Sequence, residues 1–439
     1  MPKKCLDNAK SNGDKISRSF GQSSVVSLKI EWTTKKVTPM DTQIKLVQYE
    51  TKQSHSTLMQ RFSLQKAQEV LNYHQSLPFY NPTPLKELKS FANHYGINHL
   101  WVKDESYRFG LNAFKALGSS YCMATLLGER LGLSNTELSF NSLTTPEAKK
   151  CLGELTFVTA TDGNHGRGVA WSAKTLGHKS IVLMPKGTAI ERLENIKKLG
   201  ADASITDFPY DDTVQMAARL ALEKGGILVQ DTAWAGYEEI PTRIMQGYLS
   251  LGMEIVNQLN GLRPTHVFLQ AGVGSMAAAV AAFFAQQYGK NRPKIIIVEP
   301  HGANCLYRTA QANDGKIHAY EGELHSIMAG LCCGIPCTVA WELMQECSDY
   351  FVSMPDFVAA DGMRILSAPM NDDPRIISGE SGASCFGLVA DLLRKPQYQD
   401  IKNSIGLGSD SNILCLSTEG DTDQTGYRKV VWDGAYSSI

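Results

Sequence analysis

The feature that most constrains this chain is a rhythm of apolar runs, each followed by a polar or glycine-rich turn and then an amphipathic helical stretch. "LTFVTATDGNHGRGVAWSAKTLG", "SIVLMPKGTAIERLENIKKLG" and "ASITDFPYDDTVQMAARLALEKG" repeat it and lead to the strand "ILVQDTAW". A second series runs through "THVFLQAGVGSMAAAVAAFFAQQYG", "KIIIVEP" and "NILCLSTEGDTD". Strands alternating with helices form βαβ units, and such units build parallel sheets. The chain therefore predicts an α/β protein with two open, mostly parallel twisted sheets. A small domain at 118–230 is expected to be inserted in a large one made of 28–117 and 231–439. The opening "MPKKCLDNAKSNGDKISRSFGQSSVV" is polar and aperiodic, so residues 1–27 read as a mobile leader. It has a basic start but no apolar core of a secretory signal, and Asp7 and Asp14 count against organelle targeting.

Composition removes several function classes. Lys and Arg number 43 against 44 Asp and Glu, so no basic surplus points to nucleic acid. Apolar stretches such as "SMAAAVAAFFA" fall short of a membrane span. Ten scattered cysteines without a compact spacing pattern read as reduced thiols, and hence as a cytoplasmic protein.

Ligands of open α/β sheets bind beyond the carboxyl ends of the strands. The residues expected there are Thr161–Gly168, Gln230–Trp234, Gln270–Ala277 and Ser417–Asp423, with "SGESGA" at Ser378–Ala383 just before another apolar helix. In "LQAGVGSMAAAVAA" a strand passes into a helix through Gly272, Gly274 and Ser275, a turn in which backbone N–H groups and the helix dipole can converge on one phosphate. The spacing matches neither the dinucleotide fingerprint nor the P-loop, and a tight turn alone would also explain these glycines. A lysine supplies the second element. In "DESYRFGLNAFKALGSSY" a helix is expected after "RFGL" with Asn112 as N-cap, placing Lys115 in the first turn, where the helix dipole should depress its pKa. No carboxylate stands at the i+4 position, which is Ser119. Either its stem covers Phe114 and its head reaches water, or a neutral amine is wanted as a nucleophile.

A lone phosphate cradle, a reactive amine and polar strand ends around a cleft are what pyridoxal 5′-phosphate requires. "NAFK", "DGNHGRG", "AGVGSM", "SGESGA" and "STEGDTD" occur in the order seen in fold-type II pyridoxal-phosphate enzymes, the tryptophan synthase β-like group, and the longer strings "VKDESYRFGLNAFK", "TDGNHGRGVAW", "DTAWAGYEEIPTRIMQGY" and "NDDPRIISGESGA" are more specific still. From about Ser27 to Trp432 the chain most resembles the diaminopropionate ammonia-lyases. The resemblance implies a fold-type II architecture with the cofactor in the cleft between two domains. Lys115 would form the Schiff base, Phe114 would pack near the cofactor and Asn164 would meet the phenolic oxygen of its ring. Gly272, Val273, Gly274 and Ser275 would hold the phosphate, and Ser417 or Thr418 would face the pyridine nitrogen. Gly163 and Ser381, with Asp162, would contact substrate.

Asp162 stands directly before "GNH", where related serine and threonine dehydratases generally carry a small residue. Asp231 follows "ILVQ". Both can serve as ordinary turn residues. With the resemblance they become acid/base groups on opposite faces of the substrate, consistent with turnover of D- and L-2,3-diaminopropionate to pyruvate and two ammonia molecules. The alternatives are a dehydratase or β-replacing synthase of the same fold, or a binding protein that keeps the cofactor without catalysis. His325, Cys332, Cys333 and Cys337 lack the paired spacing of a zinc site and read as packed loop residues, so no metal is expected. His165 reads as support for its turn, and "YDDTV" as a helix start capped by Asp212 or Thr213. A homodimer acting on a small amino acid is expected.

Overall fold

The computed structural model describes residues 42–52, 56–161 and 163–437. The expected leader at 1–27 and Asp162 lie outside the described residues. Among the described residues eleven strands fall into two sheets. The seven-stranded sheet contains β1 (Lys45–Gln48), β2 (Leu85–Glu87), β3 (His99–Asp104), β8 (His266–Gln270), β9 (Lys294–Pro300), β10 (Tyr350–Met354) and β11 (Asn412–Ser417). Their order is β1-β10-β9-β8-β11-β3-β2. The pairs from β10 to β3 are parallel, and β1 and β2 close the two edges antiparallel. The second sheet is parallel throughout, ordered β6-β5-β4-β7, from β4 (Thr156–Ala160), β5 (Lys179–Met184), β6 (Asp202–Ile205) and β7 (Ile227–Leu228). Its strands lie between β3 and β8 in sequence, so the small sheet is spliced into the connection of the large one.

The central strands are buried on both faces, as a parallel sheet covered by helices requires. The helix Ser275–Tyr288 is buried all round from Ser275 to Phe284, which its alanine-rich sequence permits without a polar face. Two glycines decide how closely helices approach beside Lys115. A Cβ on Gly247 would come within 2.5 Å of the Leu117 carbonyl oxygen, and one on Gly118 within 2.7 Å of both Ile244 and Tyr248. The helices Ala116–Leu131 and Glu239–Gly247 therefore meet backbone to backbone.

The turn after β3 is held by charge. Arg108 is fully buried and donates to Glu105 at 2.8 Å and to Glu254 at 2.7 Å, while Lys103 reaches Glu254 at 2.6 Å. Burial would push the Glu254 carboxyl up, but Arg108 and then Lys103 offset this and hold it down at about 2. Phe109 and Asn112 then take positive φ values of 51° and 58°, and asparagine tolerates that region better than most residues. Asn112 does not cap a helix. Its side chain donates to Asp421 at 3.1 Å, and the helix starts at Ala116. Likewise the helix Tyr210–Glu223 has Pro209 at its N-cap without a side-chain bond, and Thr213 sits inside the first turn, bonding back to the Pro209 carbonyl.

Removing one partner from the Arg108 cluster leaves a buried charge uncompensated. Glu254→Ala should lower the unfolding free energy by about 3–5 kcal/mol, read as a fall in the urea midpoint at constant m. A midpoint equal to the parent's would show that the cluster contributes no more than a surface ion pair.

Candidate active site

Lys115 immediately precedes the helix Ala116–Leu131, with αR backbone angles, and its amine points to a residue 116 positions away. Lys115 Nζ lies 2.6 Å from Asp231 Oδ2. The sequence expectation of a depressed lysine pKa is therefore corrected. Burial acts to lower it, but the Asp231 carboxylate more than offsets that, and the net direction is upward. The same contact acts on the aspartate. Burial raises its carboxyl, yet His165 and Lys115 together bring it down to about 2.

His165 Nε2 lies 2.9 Å from the Val229 carbonyl, a contact that requires this nitrogen to carry the proton. Its other ring nitrogen, Nδ1, lies 3.6 Å from Asp231 Oδ2. So His165 supports its turn, as read from sequence, and also faces the aspartate. The Phe114 ring lies 5.6 Å from Lys115 Nζ and 5.0 Å from the Tyr248 ring. The Tyr248 hydroxyl, buried beside this cluster, makes no hydrogen bond among the described residues.

The glycine turn follows β8 as expected, and Gly274, at φ 100°, occupies the N-cap of the helix Ser275–Tyr288. Ser275 Oγ donates to the Asp231 carbonyl at 2.8 Å, which ties this turn to the Lys115–Asp231 pair. A Cβ on Gly272 would sit 3.0 Å from Cys333 Sγ and 3.4 Å from the Gly330 carbonyl oxygen. The loop containing Cys332 and Cys333 thus covers the Val273 turn, and Cys337 N donates to the Val273 carbonyl at 2.9 Å.

At the end of β11, Ser417 is fully buried, with its hydroxyl on Ser378 at 2.7 Å. Thr418 Oγ1 accepts from Gln270 Nε2 at 2.9 Å, and the Thr418 carbonyl accepts from Phe114 N at 3.2 Å. An antiparallel bridge between Ala113 and Glu419 continues this pairing. Glu380 and Ser381 prove to be the first residues of the helix Glu380–Arg394 and do not precede it. Ser381 Oγ is buried without a partner among the described residues. A cleft of about 430 Å³ opens here, lined by Gly163, Asn164, Arg167, Arg192, Glu380 and Glu419 among others. Burial, and then the neighbouring Glu419, push the Glu380 carboxyl up to about 7.

The structure thus gathers Lys115, Phe114 and Asp231 into one cluster and ties Ser275 to it, while Gly163 and Asn164 line the cleft. Tyr248, Arg167, Arg192, Glu380 and Glu419 carry no sequence assignment. Tyr248, Arg167 and both glutamates stand inside the recognised motifs, which is the signal that marks them. The arginines line the cleft from the helix Asn164–Leu176 and the helix Ile190–Lys197.

The family model described as "Pyridoxal-phosphate dependent enzyme" matches residues 77–404. The diaminopropionate ammonia-lyase of Salmonella typhimurium is 49% identical over 370 residues, covering 83% of this chain and 92% of the relative. The crystal structure of the holo form of the Escherichia coli diaminopropionate ammonia lyase superposes with a TM-score of 0.84 at 44% identity, covering 90% of this chain and 98% of the other. The same Escherichia coli enzyme in complex with an aminoacrylate-PLP azomethine reaction intermediate gives a TM-score of 0.82 at 44% identity, with the same coverage. The chain belongs to the pyridoxal-phosphate dependent enzymes, and within them to the family of the diaminopropionate ammonia-lyases.

Proposed function

We propose that this protein eliminates ammonia from 2,3-diaminopropionate in a pyridoxal-phosphate-dependent reaction, giving pyruvate and two molecules of ammonia with uptake of one water. The observation that carries the reading is the Lys115 amine held 2.6 Å from the Asp231 carboxylate, next to a glycine turn at a helix N-terminus. The residues present fit the cofactor. At Gly272 and Gly274 a Cβ would stand only 3.0 and 3.1 Å from its nearest neighbours, the helix that follows offers N–H groups without intrahelical partners, and the lysine amine is at hand.

When bound, pyridoxal 5′-phosphate supplies an electron sink for the pair left behind as the substrate α-proton departs. Lys115 would hold the cofactor covalently through its amine. Gly272, Val273, Gly274 and Ser275 hold the phosphate, and a hydroxyl of the Ser417–Thr418 pair faces the ring nitrogen. A neutral hydroxyl there, in place of a carboxylate, moderates electron withdrawal and suits elimination. Phe114 packs beside the ring, Asn164 donates to its phenolic oxygen, and Gly163 and Ser381 orient the substrate.

Asp231 changes character with the state of Lys115. While the ammonium faces it, the carboxyl stays near 2 and is a poor base. Once the lysine charge is tied up, part of the pull that offsets burial is lost, and the carboxyl becomes able to take and return a proton. The departing β-amine must leave protonated, so an acid within hydrogen-bond reach is needed, and Asp231, Lys115 and Asp162 are the groups for it. Asp162 and Asp231 follow different strands, β4 and β7, which allows them to serve opposite faces of the substrate. We also take 28–117 with 231–439 and 118–230 as the two domains, and the working form as a cytoplasmic homodimer. No helix among the described residues is long and apolar enough to cross a membrane.

The direct test is pyruvate release from each diaminopropionate enantiomer and from serine. Faster release from serine would favour a dehydratase, and none from any of the three a cofactor-binding protein without catalysis. Lys115→Ala should lose the visible cofactor band and turnover while keeping the parent's circular dichroism, and borohydride reduction of the parent should label Lys115. Labelling of another lysine would overturn the assignment. Gly274→Val should weaken cofactor retention, because φ 100° disfavours any side chain. Asp162→Asn and Asp231→Asn should each lower kcat/KM about 10²–10⁴-fold for one enantiomer, Asp162 for D and Asp231 for L. Equal losses for both enantiomers would make the aspartates ammonium-recognition groups.

A further inference from the structure

We propose that Glu419 is a positioning residue that orients the Asn164 amide so that an N–H, and not its carbonyl oxygen, faces the cofactor ring. This rests on the reading of Asn164 as the contact of the ring's phenolic oxygen. Glu419 is itself held from three sides. Its Oε1 accepts from the Ser381 backbone N–H at 3.2 Å, and its Oε2 accepts from the Thr422 hydroxyl at 3.1 Å and from Asn164 Nδ2 at 2.6 Å. A carboxylate offers acceptors only, so the nitrogen of Asn164, and not its oxygen, must face Glu419. The second N–H of that nitrogen then remains for the cleft that Asn164 lines.

The surrounding backbone fixes the carboxylate in place. The bridge between Ala113 and Glu419 registers it to the segment leading into Lys115. A Cβ on Gly379 would stand 3.2 Å from Glu419 Cγ, so glycine lets the helix Glu380–Arg394 begin against the side chain. The charged groups that feel Glu419 are Arg167 on the helix Asn164–Leu176 and Glu380. A charged acceptor 2.6 Å from the amide nitrogen makes a strong bond that holds the side chain in this one orientation, with its second N–H turned to the cleft.

Two effects of Glu419 on the bound cofactor oppose each other, which makes the proposal testable by sign. Through space, its negative charge disfavours an anionic ligand. Through Asn164, it favours the ionised ring oxygen. Protein stripped of cofactor is titrated with pyridoxal 5′-phosphate by visible absorbance, and the loaded protein is titrated with acid and base. The proposal expects Glu419→Gln to raise the cofactor Kd about fivefold and to move the pH midpoint of the visible band upward. In an Asn164→Ala background both effects should vanish. Glu419→Asp keeps the charge but withdraws it from Asn164, so it should weaken binding as Gln does, and it decides the matter if the Gln variant folds poorly. An unchanged or lower Kd in Glu419→Gln would leave only the through-space charge, and an equal weakening in the Asn164→Ala background would mean an effect through the fold. Either result overturns the proposal. If Asn164→Ala alone changes neither Kd nor midpoint, the reading of Asn164 as the ring contact fails and the proposal falls with it.

Discussion

The site depends on one ion pair, Lys115 with Asp231, largely withdrawn from water. Lys115 is delivered by the turn after β3 of the large sheet, and Asp231 by the end of β7 in the small one. Burying two charges costs more than their attraction usually returns, so such a pair is a poor device for stability alone. Its value lies in what it makes available: an amine and a carboxylate whose protonation depends on each other, placed where the two sheets meet. The contact between Gly118 and Gly247 serves this pair, because it presses the helix that follows Lys115 onto the helix that follows Asp231.

Much of the architecture was legible in the sequence because parallel strands buried on both faces leave a strong local trace. "KIIIVEP" and "THVFLQ" read as strands on their own residues and became β9 and β8. The edge strands β1 and β2 were not read. At 4 and 3 residues they are too short for a period to show, and they exist through pairing with β10 and β3. The run at Tyr350–Met354 is likewise unmarked, since no glycine-rich turn follows it.

The failures at the site have one physical origin. The helix dipole is a local quantity, and it led to a depressed lysine pKa. The Asp231 carboxylate is remote in sequence and local in space, and at 2.6 Å it outweighs a terminal half-charge. Asn112 was assigned to a cap for the same reason: asparagine before a helix commonly caps, but here Asp421 claims its side chain. Glu419 stood in a recognised motif without an assignment, because only the fold reveals that Asn164 and Ser381 converge on it.

The pairing of β3 with β11 has a consequence for how the protein is made. Asn112 and Asp421 are 309 positions apart, so the strand that flanks the lysine segment is synthesised long after it. Closing so long a loop is slow, and domains emerging from the ribosome fold in the order they appear. The small sheet, continuous in sequence, can form early. The nascent chain therefore carries its lysine with one wall of the cleft missing until β11 arrives.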